Sequence, residues 1–297
     1  MTKVLITGTH SFVGNNFRKY SKFSDIEEIS LFENKPEEIE FDRFDVVLHL
    51  AAIVHQSKDT PESEYFRVNR DLCLRVAEQS KKSGIKHFIF LSTVKVYGEH
   101  YTGTWLRNEN SNCNPEDAYG KSKLEAEKGL KKLEDSEFRV SIIRTPLVYG
   151  EGVKANMLSL TKLVDILPLL PLGNLKNKRN FTFAGNLVGY IDRIIEKNAS
   201  GTFIAMDENA ISTSELLSMI SKYLGKRTVL FRLPSLFVKI AGLVYPEIIE
   251  RLYGSLEFEN LKTKAALSYR PPFTTEEGIK KMVLYYLENK RKERHSY

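Results

Sequence analysis

The sequence predicts an α/β fold, a doubly wound parallel sheet with a smaller mixed C-terminal domain. Three observations predict it. Short, continuously apolar, β-branched runs alternate with longer segments of helical period, the pattern of strands covered on both faces. The first run starts at Lys3 and enters a glycine-bearing turn. The alternation then loosens after about residue 150, which places one domain at 1–150 and a second at 151–297, with 180–205 a candidate for returning to the first domain.

Taken in order, Lys3–Thr7 reads as a buried strand and Phe12–Lys22 as the helix after it. Glu28–Phe32 and Asp45–Leu50 are the next strands. Glu62–Gly84 reads as one helix, with apolar residues at Phe66, Leu72, Leu74, Val76 and Ala77 and Gly84 at its end. His87–Ser92 and Arg139–Arg144 are further strands around a helix over Pro115–Leu133. Beyond 150, helices are predicted at Asn156–Leu167, Thr213–Gly225 and Thr275–Asn289, the second opened by Ser/Thr and closed by glycine.

Composition excludes several function classes. The 297 residues are 42% hydrophobic and 28% charged, enough for a substantial core. Two cysteines, Cys73 and Cys113, cannot form a disulfide framework and have no metal-ligand spacing, so no metal is expected. The net charge of +6 owes much to Lys290–His295, a tail expected to be solvated, so no nucleic-acid partner is expected. Leu233–Ile249 is apolar but broken by Pro234, Lys239 and Pro246, so no membrane span is expected. The expected compartment is the cytoplasm.

Chemistry enters at the first turn, Gly8-Thr9-His10-Ser11-Phe12-Val13-Gly14. Between strand and helix, glycine allows a tight bend and close approach to a pyrophosphate, which the helix N-terminus attracts. Gly8 and Gly14 hold the outer positions and Ser11 stands at the middle one. Glu33, about 20 residues on, is where an acid would meet ribose hydroxyls. Lys35 would suit a 2′-phosphate, which leaves NAD and NADP both open at this point.

Tyr119 and Lys123 lie four apart on one helix and share a face. An ordinary phenol is a poor base at neutral pH, and a neighbouring cation favours its phenolate. Ser92 and Thr93 end a buried strand, the edge where doubly wound sheets bind ligands. Each feature alone has an ordinary structural explanation. Their fixed order (glycine turn, His49-Leu50-Ala51-Ala52, Ser92/Thr93, Tyr119/Lys123) does not.

Together these residues resemble the extended short-chain dehydrogenase/reductase family, in its NAD-dependent epimerase/dehydratase branch. The resemblance spans essentially the whole chain and implies a Rossmann fold. It implies NAD as cofactor, bound by Gly8, Ser11, Phe12, Val13, Gly14, Glu33, Leu50, Ala51, Ala52, Ser92, Tyr119, Lys123 and Pro146. Thr93, Tyr119 and Lys123 take the catalytic positions. Thr93, Lys95, Tyr119, Asn156, Arg179 and Arg251 are the implied substrate contacts, the two arginines facing phosphate. Asn180 and Gly185 stand where the family carries acids after that arginine. The family's dehydratases carry Asp-Glu directly after the catalytic threonine, whereas Val94-Lys95 stand here, which argues against elimination of water.

The implied activity is 4-epimerisation of a UDP-hexose or UDP-N-acetylhexosamine through a transient 4-keto sugar. The alternatives are a one-way nucleotide-sugar 4-keto reductase or dehydrogenase of surface-polysaccharide synthesis, and a non-catalytic dinucleotide-binding protein. The resemblance further implies a homodimer through helices around 70–83 and 119–133.

Overall fold

A computed structural model describes residues 2–54, 60–98 and 106–295. They form two compact units that interleave along the chain. The first comprises Met1–Pro146, Gly185–Met206 and Glu259–Pro271, and the second comprises Leu147–Ala184, Asp207–Phe258 and Pro272–Tyr297.

The first unit is built on a six-stranded, wholly parallel sheet. Its strands are β1 (Val4–Thr7), β2 (Ile26–Ile29), β3 (Val46–His49), β4 (His87–Thr93), β5 (Arg139–Thr145) and β9 (Gly201–Ile204). Their spatial order is β2-β1-β3-β4-β5-β9. The order reverses between β1 and β3, and the register there aligns Thr7 with His49. Beyond the carboxyl ends of these two strands lies the crevice where such sheets bind ligands. The first four strands expected from sequence are present, but the second is displaced. It runs Ile26–Ile29, and Leu31–Glu33 form a turn in which the Ser30 carbonyl accepts from the Asn34 N–H at 3.1 Å. β1 offers only four residues for parallel pairing, and β2 is held to the same four.

Helices α1 (Phe12–Tyr20), α2 (Glu62–Phe66), α3 (Cys73–Lys82), α4 (Ala118–Leu133), α6 (Ala184–Lys197) and α10 (Leu261–Leu267) complete this unit. The helix expected over 62–84 is interrupted, because Arg67–Leu72 form a π-helical turn. The extra residue turns Asn69 fully inward. On one face of the sheet Leu5, Val47, Phe88, Phe90 and Val140 pack with Cys73, Val76 and Ala77 of α3 and with Ala126 and Leu130 of α4. Gly129 lets α3 approach, since a Cβ there would meet Leu74 at 2.6 Å. The outer edge of β9 is occupied by polar groups from the α10 segment. The Ile204 N–H donates to Thr263 Oγ1 at 2.8 Å, and Asn260 Nδ2 donates to the Ile204 carbonyl at 3.2 Å. An otherwise bare sheet edge is thereby satisfied.

The second unit holds two short parallel ladders, β6 (Leu147–Tyr149) with β8 (Phe181–Phe183) and β7 (Leu169–Leu170) with β10 (Val229–Leu230). Around them lie α5 (Ala155–Ile166), α7 (Thr213–Leu224), α8 (Ser235–Val244), α9 (Pro246–Tyr253) and α11 (Thr275–His295). Tyr149, almost fully buried, donates to Asp207 Oδ2 at 2.7 Å, while Asp207 Oδ1 accepts the Phe183 N–H at 2.9 Å. Residues 233–249, apolar in sequence, form the α8–α9 hairpin. No helix among the described residues is long and apolar enough to cross a membrane.

Candidate active site

The turn after β1 is closed by Ser11. Its hydroxyl caps α1 by accepting from the Gly14 N–H at 3.0 Å. Gly14 must be glycine for this, because a Cβ would lie 2.7 Å from that hydroxyl. Gly8 has a φ of +110°, and a Cβ on it would press into the Ala51 backbone at 2.8 Å. The strand β1 and the Leu50–Ala52 segment after β3 are thus drawn together by the absence of a side chain. The first-turn N–H groups of Phe12 and Val13 have no intrahelical acceptor and suit an anion. The serine that departs from the all-glycine pattern completes the helix cap and leaves those donors in place.

Glu33 is not at a strand end. It is exposed in the turn four residues past β2, and Ser30 is the first residue beyond that strand. The acid facing the phosphate turn is Glu28, which accepts from the His10 N–H at 3.2 Å and from Arg18 Nε at 2.7 Å.

Tyr119 is the second residue of α4, and it lies beside Thr93, at the carboxyl end of β4. Burial pushes the phenol well above its ordinary value, the Asp117 carboxylate pushes it further, and the Thr93 hydroxyl works the other way. α4 begins at Ala118, later than the Pro115 expected from sequence, because Asp117 caps it with a bond from the Gly120 N–H at 2.6 Å. Lys123, one turn on, is almost fully buried. Its ammonium donates to the Leu91 carbonyl at 2.9 Å and lies 4.4 Å from the centre of the Phe90 ring. Burial lowers its pKa to about 8, opposed by Cys73 and Glu127.

Several side chains that hold this arrangement are invisible to motif reading. Asn69 binds both the N–H and the carbonyl of Ile53, at 2.8 and 3.0 Å, and donates to Ser122 at 3.1 Å. It fastens the segment after β3 to α4. A polar residue on the apolar side of a helical pattern, between Phe66 and Cys73, was the available signal. Glu127 accepts from Ser92 at 2.5 Å and pairs bidentately with Arg144, at 3.0 and 2.5 Å. All three are buried. Its signal was its place four residues after Lys123, on the same face. The Ser92 hydroxyl, expected to face the cofactor, is therefore committed to Glu127.

Lys95 does not stand alone. Its ammonium lies 2.6 Å from Asp117, the residue capping α4. Its own N–H donates to Thr93 Oγ1 at 3.2 Å. Pro146 is buried between β5 and β6. The other expected substrate residues belong to the second unit. Asn156 is exposed in the first turn of α5. Arg179 donates to the carbonyls of Gly254 at 3.0 Å and Glu250 at 3.4 Å, closing the carboxyl end of α9. Arg251 is exposed on α9, 3.7 Å from Glu247. Among the described residues no group of three or more His, Cys, Asp or Glu side chains could hold a metal.

A parallel sheet with a capped phosphate turn at its switch point, and a threonine–tyrosine–lysine set at the end of β4, defines a dinucleotide-dependent enzyme of the short-chain dehydrogenase/reductase type. The chain belongs to the NAD dependent epimerase/dehydratase family, whose pattern matches residues 4–206. A UDP-glucose 4-epimerase from Vibrio cholerae is 35% identical over 314 aligned positions, covering 96% of this chain and 95% of that protein. An N-acetyl-alpha-D-glucosaminyl-diphospho-ditrans,octacis-undecaprenol 4-epimerase from Escherichia coli O157:H7 is 25% identical, covering 84% and 80%. The fold matches that of UDP-glucuronic acid 4-epimerase from Bacillus cereus, solved with NAD, at a TM-score of 0.75 and 19% identity, covering 97% of this chain and 99% of that one.

Proposed function

We propose that this protein is an NAD-dependent nucleotide-sugar 4-epimerase acting on a UDP-hexose or UDP-N-acetylhexosamine. The observation that carries the reading is the placement of Tyr119 beside Thr93 at the end of β4, with buried Lys123 one helical turn away. Similarity to the Vibrio cholerae enzyme over nearly the full length of both chains supports the same reaction.

When bound, NAD would supply the hydride chemistry at the sugar C4. The chain's own residues do the rest. The N–H groups of Phe12 and Val13, with the positive end of α1, hold the pyrophosphate. Leu50–Ala52 line the neighbouring wall. Tyr119 removes the proton from the O4 hydroxyl and later gives it back, while Thr93 orients that oxygen. Lys123 holds a ribose hydroxyl and favours the phenolate by its charge. Elimination of water would need an acid pair beside Thr93, and Val94 and Lys95 stand there instead.

Arg179, Arg251 and Asn156 are the proposed contacts for the diphosphate end of the substrate. A homodimer through α3 and α4 is part of the proposal, which sedimentation equilibrium would test. The cytoplasm is the proposed compartment. The decisive experiment incubates the purified protein with a panel of UDP-hexoses and UDP-N-acetylhexosamines and reads products by NMR. Interconversion of 4-epimers without added nicotinamide is expected. Consumption of added NAD(P)H with net formation of a reduced sugar would replace this reading with that of a one-way reductase.

A further inference from the structure

The α8–α9 hairpin, in the second unit, carries the most unusual surface of the chain. Residues at helical spacing along α8 present one apolar arc to solvent. Leu236 and Ile240 are more than half exposed, Leu243 is 85% exposed, and Phe237 and Val244 flank them at 57% and 62%. The opposite side is made of Val238, Ala241 and Gly242, which are half-buried. Gly242 lies opposite Ile249 of α9, where a Cβ would just touch that side chain at 3.8 Å. The small residues thus face the protein and the large ones face outward, the reverse of an ordinary surface helix. The apolar surface extends beyond α8. Phe231 precedes it, and Val229 and Leu169, paired across the β10–β7 ladder, are each more than half exposed. An isolated exposed leucine needs no explanation, but five large apolar side chains exposed on one ten-residue helix mark a contact surface.

Charge identifies the occupant. From Lys226 to Tyr245 there are four cations and no acid. Lys226 is paired with Asp165. Arg227, Arg232 and Lys239 are exposed and have no ion-pair partner among the described residues. On the helical wheel Lys239 borders the apolar arc, where its methylenes can lie along a hydrocarbon surface while its ammonium reaches outward. A two-fold contact of α8 with a second copy would oppose Lys239 to itself, since it sits near the middle of a ten-residue helix. An anionic lipid surface satisfies the apolar arc and the cations together.

We propose that the exposed arc of α8 docks on the surface of an anionic lipid bilayer, with α8 lying in the interface and not crossing it. Phe237, Ile240, Leu243 and Val244 enter the acyl boundary, while Arg227, Arg232 and Lys239 meet lipid phosphates. The docking is independent of the reaction proposed for the first unit, and none of these residues belongs to its catalytic set.

Flotation of the full-length, NAD-saturated protein on vesicles tests it. The vesicles are phosphatidylcholine alone or phosphatidylcholine with phosphatidylglycerol, each at low and high salt. The expected result is co-flotation with the phosphatidylglycerol vesicles, weakened by salt. Leu243→Glu should abolish it while thermal unfolding and sugar turnover stay unchanged. Lys239→Glu, a charge swing of two at about fivefold per charge, should weaken it about twenty-fivefold and keeps the test valid if Leu243→Glu folds poorly. No co-flotation of the unsubstituted protein would overturn the proposal. So would co-flotation indifferent to both substitutions, or a dimer dissolved by Leu243→Glu without any vesicle binding.

Discussion

One carboxylate oxygen of Asp117 accepts the Gly120 N–H at 2.6 Å, which fixes the first turn of α4 directly around Tyr119. The other oxygen holds the Lys95 ammonium at 2.6 Å. The residue that starts the catalytic helix therefore also sets the charge beside the phenol, and Lys95 counters it. Asp117→Asn keeps a helix-capping side chain but removes the charge that raises Tyr119. The rising limb of the kcat/KM profile should move to lower pH, and Lys95→Met should move it to higher pH. Superimposable pH profiles for all three proteins would remove Asp117 from the proton chemistry.

Tyr119→Phe deletes the proposed proton carrier and little volume. Turnover should fall by about 10²–10⁴-fold, the usual worth of a positioned acid–base group. Thr93→Val removes one hydrogen bond of roughly 1 kcal/mol and should cost about fivefold. Both variants should retain the wild-type circular dichroism spectrum. Undiminished turnover in Tyr119→Phe would exclude the mechanism.

The buried Glu127–Arg144 pair is predicted to act on stability before activity. Glu127→Ala strands the Arg144 guanidinium in the interior, at a cost of about 3–5 kcal/mol. The double replacement Glu127→Leu with Arg144→Met should recover most of that loss, because no buried charge is left uncompensated. Urea unfolding of the single and double variants measures both effects. A double variant no more stable than Glu127→Ala would show that the pair contributes a net gain.

Two histidines make the fold acid-sensitive. His49 is fully buried, hydrogen bonded to Thr7 at 2.7 Å, and held down to about 3 by burial, with Lys123 adding to the effect. His87 is held at about 4, again chiefly by burial. Both folded values lie below the unfolded value, so the unfolded chain takes up protons that the native rings refuse. Their contribution is complete above pH 6.5 and is lost as pH falls toward the folded values. Each ring should withdraw about 2 kcal/mol between pH 6.5 and 5. Denaturant midpoints at these two pH values measure the sum, and His49→Asn should reduce the loss. Equal acid sensitivity in that variant would show that His49 is not a source of it.

The reactive residues were legible because their spacing is local. Tyr119 and Lys123 share a helix face by the four-residue rule, and Thr93 ends a run of apolar residues that could only be a covered strand. The supporting set was not legible, because its meaning depends on remote partners. Asn69 acquires its role from Ile53 and Ser122, and Glu127 from an arginine on β5. Glu33 misled because an apolar Leu31-Phe32 pair looked like more strand, whereas β1 supplies only four residues to pair with and Phe32 is fully exposed. Ser11 stands at the middle position between Gly8 and Gly14, and its capping bond, which only coordinates reveal, is what closes the turn. The turn at Arg67–Leu72 was hidden because a one-residue insertion in a helix leaves its apolar pattern nearly intact.

The placement of β9 bears on how the polypeptide emerges during synthesis. β5 pairs on its far side only with β9, whose residues lie some 55 positions downstream. A nascent chain released at the end of β5 would therefore carry an unpaired seven-residue β5 flank. Its lock arrives later still, when Asn260 and Thr263 seal β9. Truncations that look like tidy domain cuts, anywhere from 147 to 263, should leave sticky fragments that rely on holding chaperones.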